Sequence, residues 1–292
     1  TSTTEAVYSV LNAGDNVSVT ATFSESVIVT DDDGIGVDNA SGTPTLNIVV
    51  DTAGDGADVA DSRTATYVSG DNSTALVFQY TIQSGDNDTN GISIGANALA
   101  LNSGTIRDAS GNYATITHSA VDNNSSSRVD TTAPYLIDNV SVTHSTSSRK
   151  AGSHAKQYVN GGSSDESAYS GVCDAGECYV YITATFSEPV KVWGGNDNSS
   201  LPTLRINIAG SNRDATYISG GQELNNYCRS DNCSGSNSLI FGYAIQSGDS
   251  DLLDTNGISI GANALLLNGG STIRDAAGNE ATISHNLEGD NS

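Results

Sequence analysis

The sequence SGDNDTNGISIGANALALNSGTIRDASGNYATITH, residues 84–118, occurs twice in this chain with few changes. The second copy, SGDSDLLDTNGISIGANALLLNGGSTIRDAAGNEATISH, spans residues 247–285. The two copies share TNGISIGANAL, then TIRDA, GN, AT and a closing histidine, in that order. Similarity of this length is typical of a duplicated structural unit.

The match continues upstream through further blocks that keep their order while the spacing between them varies. The paired blocks are VTATFSESV with ITATFSEPV, PTLNI with PTLRI, ATYVSG with ATYISG, and LVFQYTIQSGD with LIFGYAIQSGD. Blocks of constant order are structural elements, and spacers of variable length are surface loops. The sequence therefore predicts two tandem domains, residues 1–129 and residues 130–292.

The composition and net charge of the chain argue against several classes of partner. The chain has 292 residues, a net charge of −23 and only 11 lysines and arginines. Nucleic acids and anionic membrane surfaces are themselves polyanions, so this charge argues against both as partners. No apolar run approaches the length of a membrane span, and we expect no direct insertion into a membrane.

The sequence pattern predicts short β-strands throughout. In residues 16–29, NVSVTATFSESVIV, Val17, Val19, Ala21 and Phe23 alternate with serines and threonines, which is the period of a half-buried strand. Clusters of Gly, Asp, Asn and Ser separate the later apolar blocks and indicate turns. The predicted fold is all-β, with two tandem immunoglobulin-like antiparallel β-sandwich domains.

Three motifs together resemble a known family. FSEPV at 186–190, RDAAGN at 274–279 and the linker VDTTAP at 129–134 are similar to the immunoglobulin-like tandem repeats of large bacterial surface adhesins. The resemblance implies an extracellular, non-enzymatic module on the bacterial cell surface that spaces or stiffens a fibre. It also implies Ca²⁺ at the domain junctions, and neighbouring repeats or copies of the same protein as partners.

An immunoglobulin-like topology places specific oxygen ligands for that Ca²⁺ where the chain enters the second domain. The loop after the second strand and the loop before the last strand meet there, and Ca²⁺ takes 6–8 oxygen ligands. The predicted ligands at this junction are Glu188, Asp275, Asn279, Asp130, Asp86 and Asp88. The equivalent set at the start of the first domain is Glu25, Asp108 and Asn112, and the half-set at the far end of the second is Asp249, Asp251 and Asp254. The alternative is that these aspartates stabilise turns.

The first domain lacks a counterpart of the strand that opens the second. The second domain begins with APYLIDNVSVTHST, whereas TSTTEAVYSV corresponds only to the end of that strand. Two interpretations stay open: the chain belongs to a longer array of repeats, or a neighbouring molecule supplies the strand. In the second case the protein is a filament subunit that polymerises by β-strand complementation.

The cysteines occur only in the second domain, as CDAGEC and CRSDNC. Three connectivities are possible, but the two insertions belong to opposite ends of the predicted sandwich, beyond disulfide reach. We therefore predict two local bridges, Cys173–Cys178 and Cys228–Cys233, and with them an oxidising extracellular compartment.

Two other classes of function, glycan binding and enzymatic activity, have their own sequence signals. Trp193, in VKVWGGNDN, is a possible ligand contact that would stack on a surface glycan, although a lone tryptophan is more often packed. No GxSxG, HExxH or CxxC motif occurs, and the Gly-rich segments precede no helix that would cradle a phosphate. We expect no enzymatic activity and no catalytic residues.

Overall fold

The computed structural model describes residues 2–4, 10–32, 42–50, 62–137, 141–145, 179–194, 201–208, 210–220, 234–246, 249 and 258–285. The chain divides into two compact units, unit 1 (Thr1–Thr132) and unit 2 (Ala133–Ser292). This division lies three residues after the predicted boundary at 129/130. Each unit is described by itself below.

Unit 1 contains nine strands in its described part. They are β1 (Ser2–Thr4), β2 (Asn16–Thr30), β3 (Thr45–Val49), β4 (Ser62–Ser69), β5 (Ser73–Thr81), β6 (Asn87–Asp88), β7 (Leu99–Ala100), β8 (Thr105–Arg107) and β9 (Val129–Asp130). The main antiparallel sheet has the order β1-β2-β5-β4-β3-β7, while β8 pairs with β2 outside that path. Strands β3, β4 and β5 are successive neighbours, and β2 returns beside β5, which is a Greek-key arrangement.

Unit 2 repeats this arrangement. Its described strands are β10 (Ser141–Ser145), β11 (Tyr179–Trp193), β12 (Thr203–Ile208), β13 (Ser211–Ser219), β14 (Ser236–Ala244), β15 (Leu265–Leu266) and β16 (Thr272–Arg274). The sheet order is β10-β11-β14-β13-β12-β15, with β16 paired to β11 outside that path. All of the ladders in both units are antiparallel, so the predicted all-β class with two β-sandwich domains is confirmed.

One long strand in each unit belongs to two ladders. The first half of β11 pairs with β14 and its last three residues pair with β16, with a register shift between Thr185 and Val190. Strand β2 has the same shift between Thr22 and Val27. An irregularity of this kind bends a strand and re-aims its side chains. Glu188 of the FSE segment was predicted to lie in the loop after the second strand, and this was wrong, because the segment lies at a bend inside one continuous strand.

The core of each unit is built from equivalent positions. In unit 1, Leu76 and Phe78 of β5 are fully buried, and in unit 2, Leu239 and Phe241 of β14 are fully buried. Burying each of these large side chains stabilises the unit by about 1.5–3 kcal/mol. The alternation that predicted the strands is thus the alternation of inward and outward side chains.

A glycine shared by both repeats explains the conserved SG dipeptide after β4 and β13. Gly70 has a φ of +109°, and a Cβ there would approach the Ala75 carbonyl oxygen to 2.0 Å. Gly220 has a φ of +104°, and its Cβ would approach the Ser238 carbonyl oxygen to 2.1 Å. Only glycine fits both the positive φ and the close approach.

The final predicted strand of each repeat is shorter than the sequence pattern indicates. In unit 1, the segment YATITH (residues 113–118), which its apolar alternation predicts to be the closing strand, forms only the isolated bridge between Arg107 and Tyr113. In unit 2, the equivalent segment EATISH (residues 280–285) forms the matching bridge between Arg274 and Glu280 and a second, parallel bridge between Thr282 and Tyr135. The apolar alternation is present in both copies, but a regular ladder also needs a partner strand.

Candidate metal centre

The RDAAGN loop of unit 2 is organised around the carboxylate of Asp275. One oxygen accepts hydrogen bonds from the N–H groups of Ala277 (2.8 Å) and Asn279 (2.9 Å). The other oxygen accepts a hydrogen bond from the Asn279 side-chain amide at 2.8 Å. The side chain therefore builds the turn, as an aspartate at such a position does. Asp275 is buried, with 1 % of its surface exposed.

Unit 1 forms the same turn with Asp108. Its carboxylate accepts hydrogen bonds from the N–H groups of Ser110 and Asn112, both at 2.8 Å, and from the Asn112 side chain at 2.7 Å. The hydrogen bonds from Asn112 hold the pKa of Asp108 below its usual value. Asp108 is only half-buried, unlike its counterpart Asp275.

Glu188 follows the bend of β11 and lies beside the segment through which the chain enters unit 2. The preceding residue, Ser187, donates its N–H to the carbonyl oxygen of Tyr135 at 2.9 Å, and its hydroxyl oxygen accepts the Tyr135 N–H at 3.1 Å. These bonds fix the entering chain against the bend.

Three of the predicted ligands come together at this point. Asp130, Glu188 and Asp275 each offer one carboxylate oxygen, and these oxygens all lie within 4.8 Å of one another. Calcium–oxygen distances are about 2.3–2.6 Å, so two ligands on opposite sides of one ion are about 4.6–5.2 Å apart. The three carboxylates could therefore hold a metal ion, with Asn279 next to Asp275 on the same loop.

Asp130 is held by its backbone and by a local turn. Its N–H donates to the Leu11 carbonyl oxygen at 2.8 Å, and one carboxylate oxygen accepts the Thr132 N–H at 3.0 Å. Strand β9, which ends at Asp130, pairs with β6. The carboxylate is therefore positioned by ordered backbone, which reduces the entropy cost of binding an ion.

Asp86 has a different environment from the one predicted for a calcium ligand. It is 1 % exposed, and one oxygen accepts a charge-assisted hydrogen bond from the Arg63 guanidinium at 2.9 Å. The other oxygen accepts the Tyr80 hydroxyl at 2.7 Å and the Gln83 N–H at 2.9 Å. Burial and the hydrogen bond to Asp86 raise the pKa of Tyr80 to about 12. Asp86 thus ties β4 and β5 to the following loop.

Asp249 repeats this network in unit 2. Its carboxylate accepts hydrogen bonds from the Arg213 guanidinium (2.8 Å), the Tyr243 hydroxyl (2.6 Å) and the Gln246 N–H (2.9 Å). Burial by itself raises the pKa of Asp249, but the hydrogen bonds from Tyr243, Gln246 and Arg213 outweigh it, so the pKa lies below the ordinary value. Sequence analysis missed both networks, although the arginine, the tyrosine and the aspartate recur at equivalent positions of the two repeats.

Of the other predicted ligands that the structure describes, Asp88 is buried in a turn, whereas Glu25 and Asn112 are exposed. Asp88 is buried and accepts the Gly91 N–H at 2.6 Å, which is a turn contact. Glu25 is exposed at the bend of β2 and Asn112 is exposed in the Asp108 turn. In the described part of the chain, the acidic group of three forms only at Asp130, Glu188 and Asp275.

Several predictions fall on residues that the structure does not describe. Asp251 and Asp254 lie outside the described residues, and so do all the cysteines of the two predicted bridges, Cys173, Cys178, Cys228 and Cys233. Trp193 is described: it ends β11, pairs with Thr272 of β16 and is half-buried. Its role as a glycan contact stays a prediction.

The closing histidine of each repeat has a structural contact. In unit 1, His118 Nε2 accepts the Ala98 N–H at 2.9 Å, and in unit 2, His285 Nε2 accepts the Ala264 N–H at 2.8 Å. Accepting at Nε2 requires that this nitrogen carry no proton. The histidines therefore fasten the GANAL segments rather than form a site.

A groove in unit 1 adjoins the Asp108 turn. This unit 1 groove has a volume of about 520 Å³ and runs between the middle of β2 and the YATITH segment. Apolar side chains of Ala21, Phe23, Leu46 and Ile116 line it, and Glu25, Asp108 and Asn112 lie along it. Glu25 and Asp108, the unit 1 counterparts of Glu188 and Asp275, thus lie beside this groove.

No protein-family model, curated protein or solved structure matches this chain. Within the described residues, no helix is long and apolar enough to cross a membrane. Function is therefore inferred by comparing the two repeats of this chain with each other.

Proposed function

We propose that this chain is a non-enzymatic, extracellular structural module of the surface-adhesin type, which spaces or stiffens a fibre and is made rigid by Ca²⁺. In this proposal, one Ca²⁺ ion is bound by Asp130, Glu188 and Asp275, with Asn279 as a further oxygen ligand. The ion would join Asp130, at the end of β9, to the bend of β11 and to the RDAAGN turn.

The observation that supports the proposal is the convergence of three carboxylate oxygens within 4.8 Å. Two like charges at that separation repel each other by about 3–4 kcal/mol at an effective dielectric constant of about 20. The chain also carries a net charge of −23, so little positive charge is present to offset the repulsion. A bound divalent cation converts the repulsion into attraction and supplies the missing partner.

Calcium also suits the donor set. All of the candidate ligands are carboxylate or amide oxygens, which are the ligands that hard cations prefer, and no thiolate or imidazole belongs to the group. Asp130 comes from the end of β9, Glu188 from the bend of β11 and Asp275 from a loop, so an ion here would cross-link three separate parts of the chain. A cross-link of that kind is how a cation would stiffen a repeat module.

Calorimetric unfolding tests this proposal. Because Ca²⁺ binds the folded state, free Ca²⁺ at 100 times its dissociation constant is expected to raise the free energy of unfolding by about 2.7 kcal/mol. We expect a higher melting temperature of unit 2 in millimolar Ca²⁺ than in chelator, and a larger maximum dimension by small-angle scattering. Glu188→Gln is expected to abolish both effects, while the matched variant Glu25→Gln in unit 1 leaves them intact. Equal melting temperatures with Ca²⁺ and with chelator would contradict the proposal.

A further inference from the structure

The side-chain amide of Asn87 holds the residues that follow Asp130 in unit 1. Its carbonyl oxygen accepts the Thr131 N–H at 2.8 Å, and its NH₂ group donates to the Thr132 hydroxyl oxygen at 3.0 Å. Asn87 also lies opposite Asp130 in the antiparallel pair of β6 and β9. One asparagine thus contacts Asp130 through strand pairing and the next two residues through its amide.

The loop that contains Asn87 is itself anchored to the main sheet of unit 1. Asp86, which precedes it, is 1 % exposed and is bonded to the Arg63 guanidinium of β4 at 2.9 Å and to the Tyr80 hydroxyl of β5 at 2.7 Å. Gly85 donates its N–H to the Thr131 hydroxyl oxygen at 2.9 Å. Residues 131 and 132 are therefore held by a loop that two strands of the sheet fix in place.

The direction of the Asp130 carboxylate depends on the same residues. One of its oxygens accepts the Thr132 N–H at 3.0 Å, so the carboxylate follows the backbone at Thr132. Asp130 is also one of the three residues whose carboxylate oxygens lie within 4.8 Å of one another. A path of direct contacts therefore leads from Asn87 through Thr132 to a candidate metal ligand.

The repeat fold does not require an asparagine at this position. The first repeat reads SGDN at residues 84–87, whereas the second reads SGDS at residues 247–250, so Ser250 stands where unit 1 has Asn87. The aspartate before it is shared, and so is the ion pair of that aspartate with an arginine. The ion pair thus belongs to the shared fold, whereas the asparagine belongs only to the unit that contains Asp130.

We propose that Asn87 is a positioning residue for the candidate metal centre: by holding Thr131 and Thr132, it fixes the direction of the Asp130 carboxylate. This inference rests on the calcium proposal above. Restricting a ligand before the ion arrives lowers the entropy cost of binding. Outer partners of metal ligands contribute about 10–100-fold to affinity, and Asn87 acts through the neighbouring backbone, so we expect a contribution of about tenfold, at the lower end.

Isothermal titration of the whole, chelator-treated chain with Ca²⁺ tests the proposal. Asn87→Ala is expected to raise the dissociation constant about tenfold while the number of sites stays the same. The control is Asn102→Ala, which removes two hydrogen bonds of another unit 1 asparagine, to the Thr43 carbonyl oxygen (3.0 Å) and the Thr45 hydroxyl (2.9 Å). The control is expected to destabilise unit 1 and to leave Ca²⁺ affinity unchanged. A purely structural role of Asn87 predicts that both variants bind Ca²⁺ as the unmodified chain does.

A double-mutant cycle tests whether Asn87 acts through Thr132. Thr132→Val removes the hydroxyl that Asn87 contacts but keeps the backbone N–H that contacts Asp130. In the unmodified chain this change is expected to weaken Ca²⁺ binding, by less than Asn87→Ala does because the Thr131 contact remains. In the Asn87→Ala chain it is expected to have no further effect, since the effects of residues in contact are not additive. Equal effects in both backgrounds would overturn the proposal.

Amide hydrogen exchange provides a second readout, because coupling between two sites is reciprocal. If the Asn87 contacts strengthen Ca²⁺ binding about tenfold, saturating Ca²⁺ is expected to slow exchange at the Thr131 amide by about the same factor. Continued protection of the β5 amides in each variant shows that unit 1 is folded.

The outcomes separate this inference from the calcium proposal. Saturable Ca²⁺ binding to the unmodified chain, with weaker binding to Asn87→Ala, supports both. Equal affinity of the unmodified chain and Asn87→Ala would overturn the inference and leave the calcium proposal standing. Absence of Ca²⁺ binding to the unmodified chain would overturn both.

Discussion

Units 1 and 2 are built from the same blocks of sequence, yet the equivalent bends of β2 and β11 have different surroundings. In unit 2, the segment containing Tyr135 and Leu136 lies against the bend, and Phe186 is fully buried. In unit 1, the same position is an open groove and Phe23 is half-buried. In unit 2, the segment that fills this position is residues 134–137, which lies outside the blocks of sequence that the two repeats share.

The equivalent carboxylates of the two units also differ in how far they are buried. Asp275 is buried beside Glu188, whereas Asp108 is half-buried and Glu25 is exposed. The internal turn of each aspartate is the same, so the local sequence does not explain the difference. What differs in unit 2 is the segment with Tyr135 and Leu136, which lies against the bend of β11.

The largest expected difference between the units concerns the phenylalanine at the bend. Phe186→Ala leaves a cavity in a closed core and is expected to cost about 3–5 kcal/mol in the free energy of unfolding of unit 2. Phe23→Ala is expected to cost unit 1 clearly less, since this ring already borders the groove. Denaturant titration followed by hydrogen-exchange mass spectrometry reports each unit separately. Equal losses in the two units would contradict the expectation that the half-buried Phe23 contributes less to its core than the buried Phe186.

The buried ion-pair networks are expected to respond alike, because both units contain them. Asp86→Asn and Asp249→Asn each leave an arginine without its charged partner and are expected to destabilise the unit that contains it. The arginine side chains are 29 % and 33 % exposed, so solvent screens part of the lost interaction. The same denaturant experiment measures both. A loss confined to one unit would show that the two networks are not equivalent.

A smaller effect is expected at alkaline pH. Burial and the hydrogen bond to Asp86 raise the pKa of Tyr80 to about 12 in the folded chain. The unfolded phenol loses its proton at pH about 10, so the contribution of Tyr80 to stability is complete below that pH and is lost as the pH rises through 12. Unit 1 stability measured from pH 9 to 12 is expected to fall less steeply in Tyr80→Phe. An identical slope in the variant would remove Tyr80 as the cause.

The sequence predicted the fold class and most strands because side-chain alternation records which face of a strand is buried. Val17 and Val19 are buried as that pattern requires. The pattern does not record backbone register. The bend at Ser24 and Ser187 could therefore not be predicted, and Glu188 was assigned to a loop after the second strand. The pattern also does not record partners, which is why the YATITH segment was predicted to be a full strand.

The candidate site was predictable only in part, for a related reason. Asp130, Glu188 and Asp275 were assigned to one junction from the order of the strands, and the structure brings their carboxylates together. Asp86 and Asp249 were given the same role, because an aspartate in a turn-rich loop has no sequence signal that separates a metal ligand from an ion-pair partner. The recurring arginine and tyrosine were the missing signal, and their meaning depends on which strands are adjacent.

The most direct test of the calcium proposal is isothermal titration of the chelator-treated chain with Ca²⁺, for the unmodified protein, Glu188→Gln and Glu25→Gln. The account predicts saturable binding to the unmodified protein, loss of that binding in Glu188→Gln, and unchanged binding in Glu25→Gln. Absence of binding to the unmodified chain, or full binding in Glu188→Gln, would contradict it.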